Sequence, residues 1–192
     1  KIYFFPNLLI FEIKSRLILC FHKIFVFLLS DFFKMAYELR IKFTQIERNE
    51  LSDIEKQLHE AAKKTRANAY APYSHFQVGC AVLLENGEII TGNNQENAAY
   101  PSGLCAERVT IFNIGANYPN VKIKKLYVIG GPEREKSFST ATPPCGGCRQ
   151  SLLEYETKQN EPIEIYSSGL EGAVFKCSSV KDLLPFSFDA SF

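Results

Sequence analysis

Phe76-Gln-Val-Gly-Cys-Ala-Val-Leu-Leu-Glu-Asn-Gly-Glu-Ile-Ile-Thr-Gly92 decides the fold of this chain. Phe76–Leu84 reads as a buried strand, Asn86-Gly87 as the hairpin turn that reverses it, and Glu88–Gly92 as its returning partner. Upstream, Ser52-Asp-Ile-Glu55 has capping-box spacing, in which hydroxyl and carboxylate satisfy each other's backbone donors. Leu51, Ile54, Leu58, Ala61 and Ala62 recur at helical spacing, so a first helix runs to about Asn68. Downstream, Leu104–Asn117 reads as a second helix. Ile123–Ile129 is a third strand, ended by Gly130-Gly-Pro132. A third helix starts near Cys145 and runs to about Thr157. Ile163–Ser167 and Ala173–Lys176 follow as short strands, and Val180–Leu184 as a last short helix. A hairpin followed by strand–helix alternation implies an α/β fold, a mixed sheet with helices on both faces. The polar stretch Glu133–Pro144 is a loop long enough to move.

Bulk composition narrows the function. At 192 residues and 46% hydrophobic, the chain holds one domain with some length to spare. Lys plus Arg (22) nearly cancels Asp plus Glu (21), so the basic excess of a nucleic-acid binder is missing and a small, roughly neutral partner is expected. Six cysteines are too few for a disulfide scaffold, and their clustering points to metal or redox use in a reducing compartment such as the cytoplasm. Residues 1–34 stand apart, with eight of the sixteen phenylalanines and neither Gly nor Ala. Charges at Glu12, Lys14, Arg16, Lys23 and Asp31 interrupt them too often for a membrane span, and no small-residue cleavage site marks a signal peptide. Met35 is the only methionine, so the expectation is that 1–34 is an extension outside the functional protein and 35–192 the catalytic domain.

The chemistry lies in Cys105-Ala-Glu107 and, forty residues on, Pro144-Cys-Gly-Gly-Cys148. Three thiols can hold a zinc ion with its fourth position open, the arrangement of catalytic rather than structural sites, and Glu107 stands ready beside it. Cys105 and Cys145 each sit at a helix start, where free N–H groups and the helix dipole favour thiolates. If both helices aim their N-termini at one point, the sulfurs converge. Taken alone, the Cys-x-x-Cys pair also reads as half a structural zinc site, a redox pair, or two buried thiols. A fourth ligand from Cys80 or Cys177 would close the site, although both lie in apolar strand-like runs. His59 falls on the exposed side of the first helix by this reading, and His75 in a solvated turn. Arg108 and Arg149 are placed to donate to the thiolates and drain charge from them.

Taken in order, Ala69-Tyr-Ala-Pro-Tyr-Ser74, Phe76-Gln-Val-Gly79, Gly92-Asn-Asn-Gln-Glu-Asn-Ala-Ala-Tyr100, Cys105-Ala-Glu-Arg108, Pro144-Cys-Gly-Gly-Cys-Arg-Gln150 and Leu183-Leu-Pro185 resemble the cytidine deaminase family, in its three-cysteine, small-subunit branch. The resemblance spans about residues 50–190. It implies a three-layer α/β/α sandwich with a mixed five-stranded sheet. It also implies one zinc per subunit on Cys105, Cys145 and Cys148, and attack by an ionised water on C4 of cytosine in a free nucleoside. Glu107 would carry the proton to ring N3 and the leaving amine. Asn94 and Glu96 would bind the ribose hydroxyls, Phe76 would lie against the base, and the Ala106 backbone would contact it. The family assembles as a homotetramer with shared sites, to which Tyr100 and Phe188 (or Phe186) would contribute. Neither nucleic acid nor membrane is an implied partner. Pyrimidine salvage is the implied role. Glu133–Pro144 is longer than the family minimum, and residues 1–34 have no counterpart in it.

Two rivals remain at this level. Another zinc deaminase would act on a nucleotide, an RNA base or a blasticidin-type antibiotic. A zinc-stabilised binding module would have a fourth protein ligand and no use for Glu107.

Overall fold

The computed structural model describes residues 2–5, 8–13, 16–21 and 41–189. The chain divides into two compact units, Lys1–Leu39 and Arg40–Phe192. The first contains β1 (Ile2–Phe5), β2 (Leu8–Ile13) and β3 (Arg16–Phe21), an antiparallel sheet in the order β1-β2-β3.

The second unit holds β4 (Thr44–Ile46), β5 (Phe76–Leu84), β6 (Ile89–Asn93), β7 (Ile123–Pro132), β8 (Glu164–Ser168) and β9 (Val174–Cys177). Its helices are α1 (Asp53–Arg66), α2 (Ala106–Asn117) and α3 (Gly146–Gln159). The sheet runs β4-β9-β8-β7-β5-β6, with β7 and β8 parallel and the other pairs antiparallel. It therefore has six strands and not the expected five. The addition is β4, three mostly exposed residues on the sheet edge; a segment so short and so little buried shows no alternating pattern in the sequence.

Period-two alternation feeds both faces of the sheet. Cys80, Val82, Leu84, Leu126, Val128 and Ile165 pack with Ile111 and Ile114 of α2 and with Leu152 and Leu153 of α3. Ala81, Tyr127, Ile129 and Tyr166 face the other way, onto Leu58 and Ala62 of α1. These strands read as continuous apolar runs because helices cover both sides. The Ser52–Glu55 capping box is present, and α1 ends at Arg66. Beyond it Asn68 and Ala69 close turns on the Thr65 and Arg66 carbonyls, two residues short of the expected end. The last helix is a 3-10 turn, Val180–Leu183.

α2 leads by a short turn into β7, and α3 returns from β7 to its parallel neighbour β8. Both helices therefore run against β7 and present their N-termini at its carboxyl end. β5 is antiparallel to β7, with Phe76 opposite Pro132, so its first residue reaches the same end. β6 leaves there too, since Asn93 pairs with Gly79. Cys105, Cys145, Phe76 and Asn94 are thus gathered by topology at one end of the sheet, where open α/β sheets take their ligands.

His59 corrects the sequence reading. It is 7% exposed. Its ring lies edge-on to Tyr127, and its Nε2 accepts from Arg48 Nη1 at 3.1 Å. The buried face of α1 is wider than its apolar stripe, and a histidine next to Leu58 falls inside it. Burial, with the Arg48 charge second, pushes its pKa down to about 4. His75 lies in a turn with a φ of 54°, its side chain exposed beside Glu133.

A close approach explains Gly79. A side chain there would stand 2.0 Å from the Ala62 carbonyl oxygen of α1. Gly79→Ala is expected to cost about 3 kcal/mol and to lower Tm by roughly 10 °C by calorimetry. His59 gives a pH dependence. Its folded pKa lies below the ordinary 6.5, so the unfolded chain takes up the extra proton and stability falls as pH drops from 6.5 toward 4. A His59→Gln variant should show a shallower slope over that window in urea titrations.

Candidate metal centre and substrate cleft

Cys105 and Cys145 are the residues immediately before α2 and α3, both in extended conformation. Cys148 follows one turn into α3 and is buried, Cys105 is half-buried and Cys145 exposed. The sulfurs converge: Cys105 and Cys145 are 3.8 Å apart, Cys145 and Cys148 3.4 Å, and all three lie within 4.8 Å of one another. Three sulfurs at 2.3 Å around a tetrahedral zinc would stand about 3.8 Å apart, so the donor set and its spacing fit that ion. Among the described residues no fourth Cys, His or carboxylate joins the group. Cys80 and Cys177 pack as small apolar groups in the core between sheet and helices.

The Cys105 thiol ionises readily. Hydrogen bonding with Cys148 comes first, with Arg108 assisting, in holding Cys105 down at about 5. Cys148, donating within the same cluster and buried, is pushed up. Arg108 donates to Cys105 Sγ at 4.0 Å and to Gly103 O at 3.5 Å. Arg149 does otherwise than expected. Its guanidinium donates to Pro144 O and Leu183 O, both at 2.8 Å, and not to a sulfur. Near the start of α3 its side chain reaches the backbone on either side, so it braces the residue before Cys145 against the Val180–Leu183 turn. Glu107 lies in the first turn of α2 and is 4% exposed. Burial pushes its carboxyl up to about 7, and the Cys105 charge adds to the shift.

Beside the thiols opens a cleft of about 500 Å³, with Asn94, Glu96, Tyr100, Cys105 and Arg108 in its lining. That volume suits a small ligand. Asn94 is buried, its Oδ1 accepting from Val78 N (2.8 Å) and its Nδ2 donating to Phe76 O (2.9 Å). One lone pair and one N–H of the amide are left for a ligand. The Glu96 carboxylate accepts from Tyr73 N (2.9 Å), Ser74 N (3.3 Å) and Ser74 Oγ, and the Ser74 hydroxyl leads in lowering its pKa. Tyr100 is 75% exposed on the rim, edge-on to Tyr73. Phe76, Ala106 and Phe188 lie outside this lining. Phe188 is 73% exposed, and its carbonyl accepts from Gln150. Ser74 as the anchor of Glu96, and Phe138 against the Phe76 ring, were not picked out from the sequence. Each partner lies more than twenty residues away, and no local pattern marks such a pair.

An α/β/α sandwich with three convergent thiols and a buried acid beside a cleft defines the zinc hydrolase class to which deaminases belong. Comparison with known proteins agrees. Residues 52–160 match the family model described as the cytidine and deoxycytidylate deaminase zinc-binding region. The cytidine deaminase of Sporosarcina psychrophila is 38% identical over 136 residues, covering 71% of this chain and 91% of that protein. That of Halalkalibacterium halodurans is 35% identical over 133 residues, 69% of this chain and 92% of that protein. The crystal structure of cytidine deaminase from Burkholderia pseudomallei superimposes with a TM-score of 0.59 at 34% identity, over 69% of this chain and 98% of that one. The chain belongs to the cytidine and deoxycytidylate deaminase family, and it is a hydrolase.

The purified protein should carry about one zinc per chain by elemental analysis. Cys148→Ser should bring the content below about a tenth of that, while Glu107→Gln should leave it unchanged.

Proposed function

We propose that this enzyme converts cytidine and 2′-deoxycytidine to uridine and 2′-deoxyuridine with release of ammonia, a pyrimidine-salvage reaction. The observation that carries this reading is the buried Glu107 carboxyl in the same helical turn as Cys105, whose sulfur meets those of Cys145 and Cys148 at the cleft. Bound by the three sulfurs, zinc supplies a Lewis acid that makes ionised water available at neutral pH. Glu107 takes one proton from the attacking water and delivers it to N3 of the base; it then takes the remaining proton of the new C4 hydroxyl and passes it to the exocyclic amine, which leaves as ammonia while the C4 carbonyl forms. Arg108, donating to Cys105, offsets the charge of three thiolates. Asn94 and Glu96 hold the ribose hydroxyls through the acceptor and donor capacity that their backbone partners leave unused. Phe76 stacks on the base, and the Ala106 backbone contacts its edge.

The exposed Tyr100 and Phe188 rings support assembly as a homotetramer in which neighbouring subunits complete each site. The near-neutral net charge supports a nucleoside rather than a nucleic-acid substrate. Three thiolates on one ion favour the reducing cytoplasm. Among the described residues no helix is long and apolar enough to cross a membrane. Residues 35–192 form the catalytic domain, and 1–34 lie outside it.

Loss of the ultraviolet absorbance of cytidine is the direct assay. Glu107→Gln should lower kcat by about 10³-fold or more with zinc retained, and dCMP should be a poor substrate. A wild-type protein inert toward both nucleosides, or a fully active Glu107→Gln, would end this reading.

A further inference from the structure

Phe76 opens β5 and is only half-buried, so little of the core fixes its ring. Its aromatic neighbour is Phe138, from the long segment between β7 and α3, with ring centroids 5.6 Å apart and planes at 81°. Edge-to-face pairs attract beyond the area they bury and restrict rotation about the side-chain bonds.

The segment that carries Phe138 is built into the fold. Phe138 O accepts from Glu171 N at 3.1 Å, and the Ser137 hydroxyl donates to the Glu171 carboxylate. Room is made by missing side chains. A Cβ on Gly169 would stand 2.2 Å from Phe138 O, and one on Gly130 would stand 2.7 Å from Thr142 Oγ1 and 3.0 Å from the Phe76 ring. The turn between β8 and β9 that receives the segment is itself clamped, since Arg48 donates to Gly169 O at 2.9 Å and to Gly172 O at 2.8 Å. A rigid frame therefore delivers one aromatic ring to another at the ligand-binding end of the sheet.

We propose that Phe138 is a positioning residue that holds the Phe76 ring ready to stack on a pyrimidine, so that the segment between β7 and α3 sets nucleoside affinity without touching the reacting atoms. This rests on the nucleoside deaminase reading above. A ring already held in place loses less freedom when the substrate arrives, and that saving appears in binding rather than in the chemical step.

The test uses the full zinc-loaded chain and cytidine. Phe138→Ala should raise KM roughly three- to tenfold, with kcat within about twofold and zinc content unchanged. Phe138→Tyr, which keeps the ring, should return KM to near the wild-type value. Should Phe138→Ala fail to fold, Phe138→Leu fills similar space without a ring and should show the same rise. In a Phe76→Leu background, Phe138→Ala should leave KM unmoved, because its effect passes through the missing ring. A wild-type KM in the zinc-loaded Phe138→Ala or Phe138→Leu variant overturns the proposal, as does an equal rise in the Phe76→Leu background. A wild-type enzyme inert toward cytidine overturns the deaminase reading and this inference with it. An active wild-type enzyme with an indifferent Phe138 overturns the positioning role alone.

Discussion

Everything in the site depends on two helices starting at the same point. α2 and α3 lie side by side on one face of the sheet, both running against β7, so their first turns meet beyond its carboxyl end. Cys105 and Cys145 cap those helices, and their sulfurs come to 3.8 Å. No long-range recognition is needed to bring the thiols together. The parallel pairing of β7 with β8 does so, because it forces α3 to cross back antiparallel to both strands. The same two N-termini contribute positive dipole ends where three thiolates would gather negative charge.

The surroundings then divide the work. Arg108 reaches a sulfur, whereas Arg149 reaches carbonyls on two different segments. Both follow a motif residue directly, and from sequence they look equivalent. Their difference comes from what each helix start faces. Arg108 lines the cleft, while Arg149 is half-buried between the Pro143-Pro144 strap and the closing 3-10 turn. There a carbonyl without an intrahelical partner is the nearest acceptor. Charge relief and mechanical bracing thus fall to different arginines.

What the sequence disclosed follows the range of the interactions involved. The span of β5, the hairpin after it, the capping box of α1 and the first turns of α2 and α3 were legible because each is written in consecutive residues. A mixed sheet with helices on both faces followed from the order of those elements, whereas the three-sulfur cluster was implied by the family resemblance and depended on both helix starts aiming at one point. What stayed hidden depends on distant partners. β4 exists only because β9 offers an edge. His59 is buried by Tyr127 and Arg48, and nothing on α1 announces them. Arg149 is claimed by Leu183, thirty-four residues away, and Glu96 by Ser74, twenty-two away. A period or a spacing reports on a residue's own element and is silent on what packs over it.

The polar groups of the cleft show why such hidden partners matter to chemistry. Asn94, which is buried, would be costly to leave waiting for a ligand, since an unpaired amide loses its water without compensation. Instead Asn94 bridges the Val78 N–H and the Phe76 carbonyl, and Glu96 is gripped by Tyr73 and Ser74. Both side chains are therefore oriented by backbone before anything binds, with hydrogen-bonding capacity to spare. Asn94 also ties the cleft to the residue whose ring is held by Phe138. A ligand entering the cleft therefore meets Asn94 and Glu96 side chains whose ordering was completed during folding.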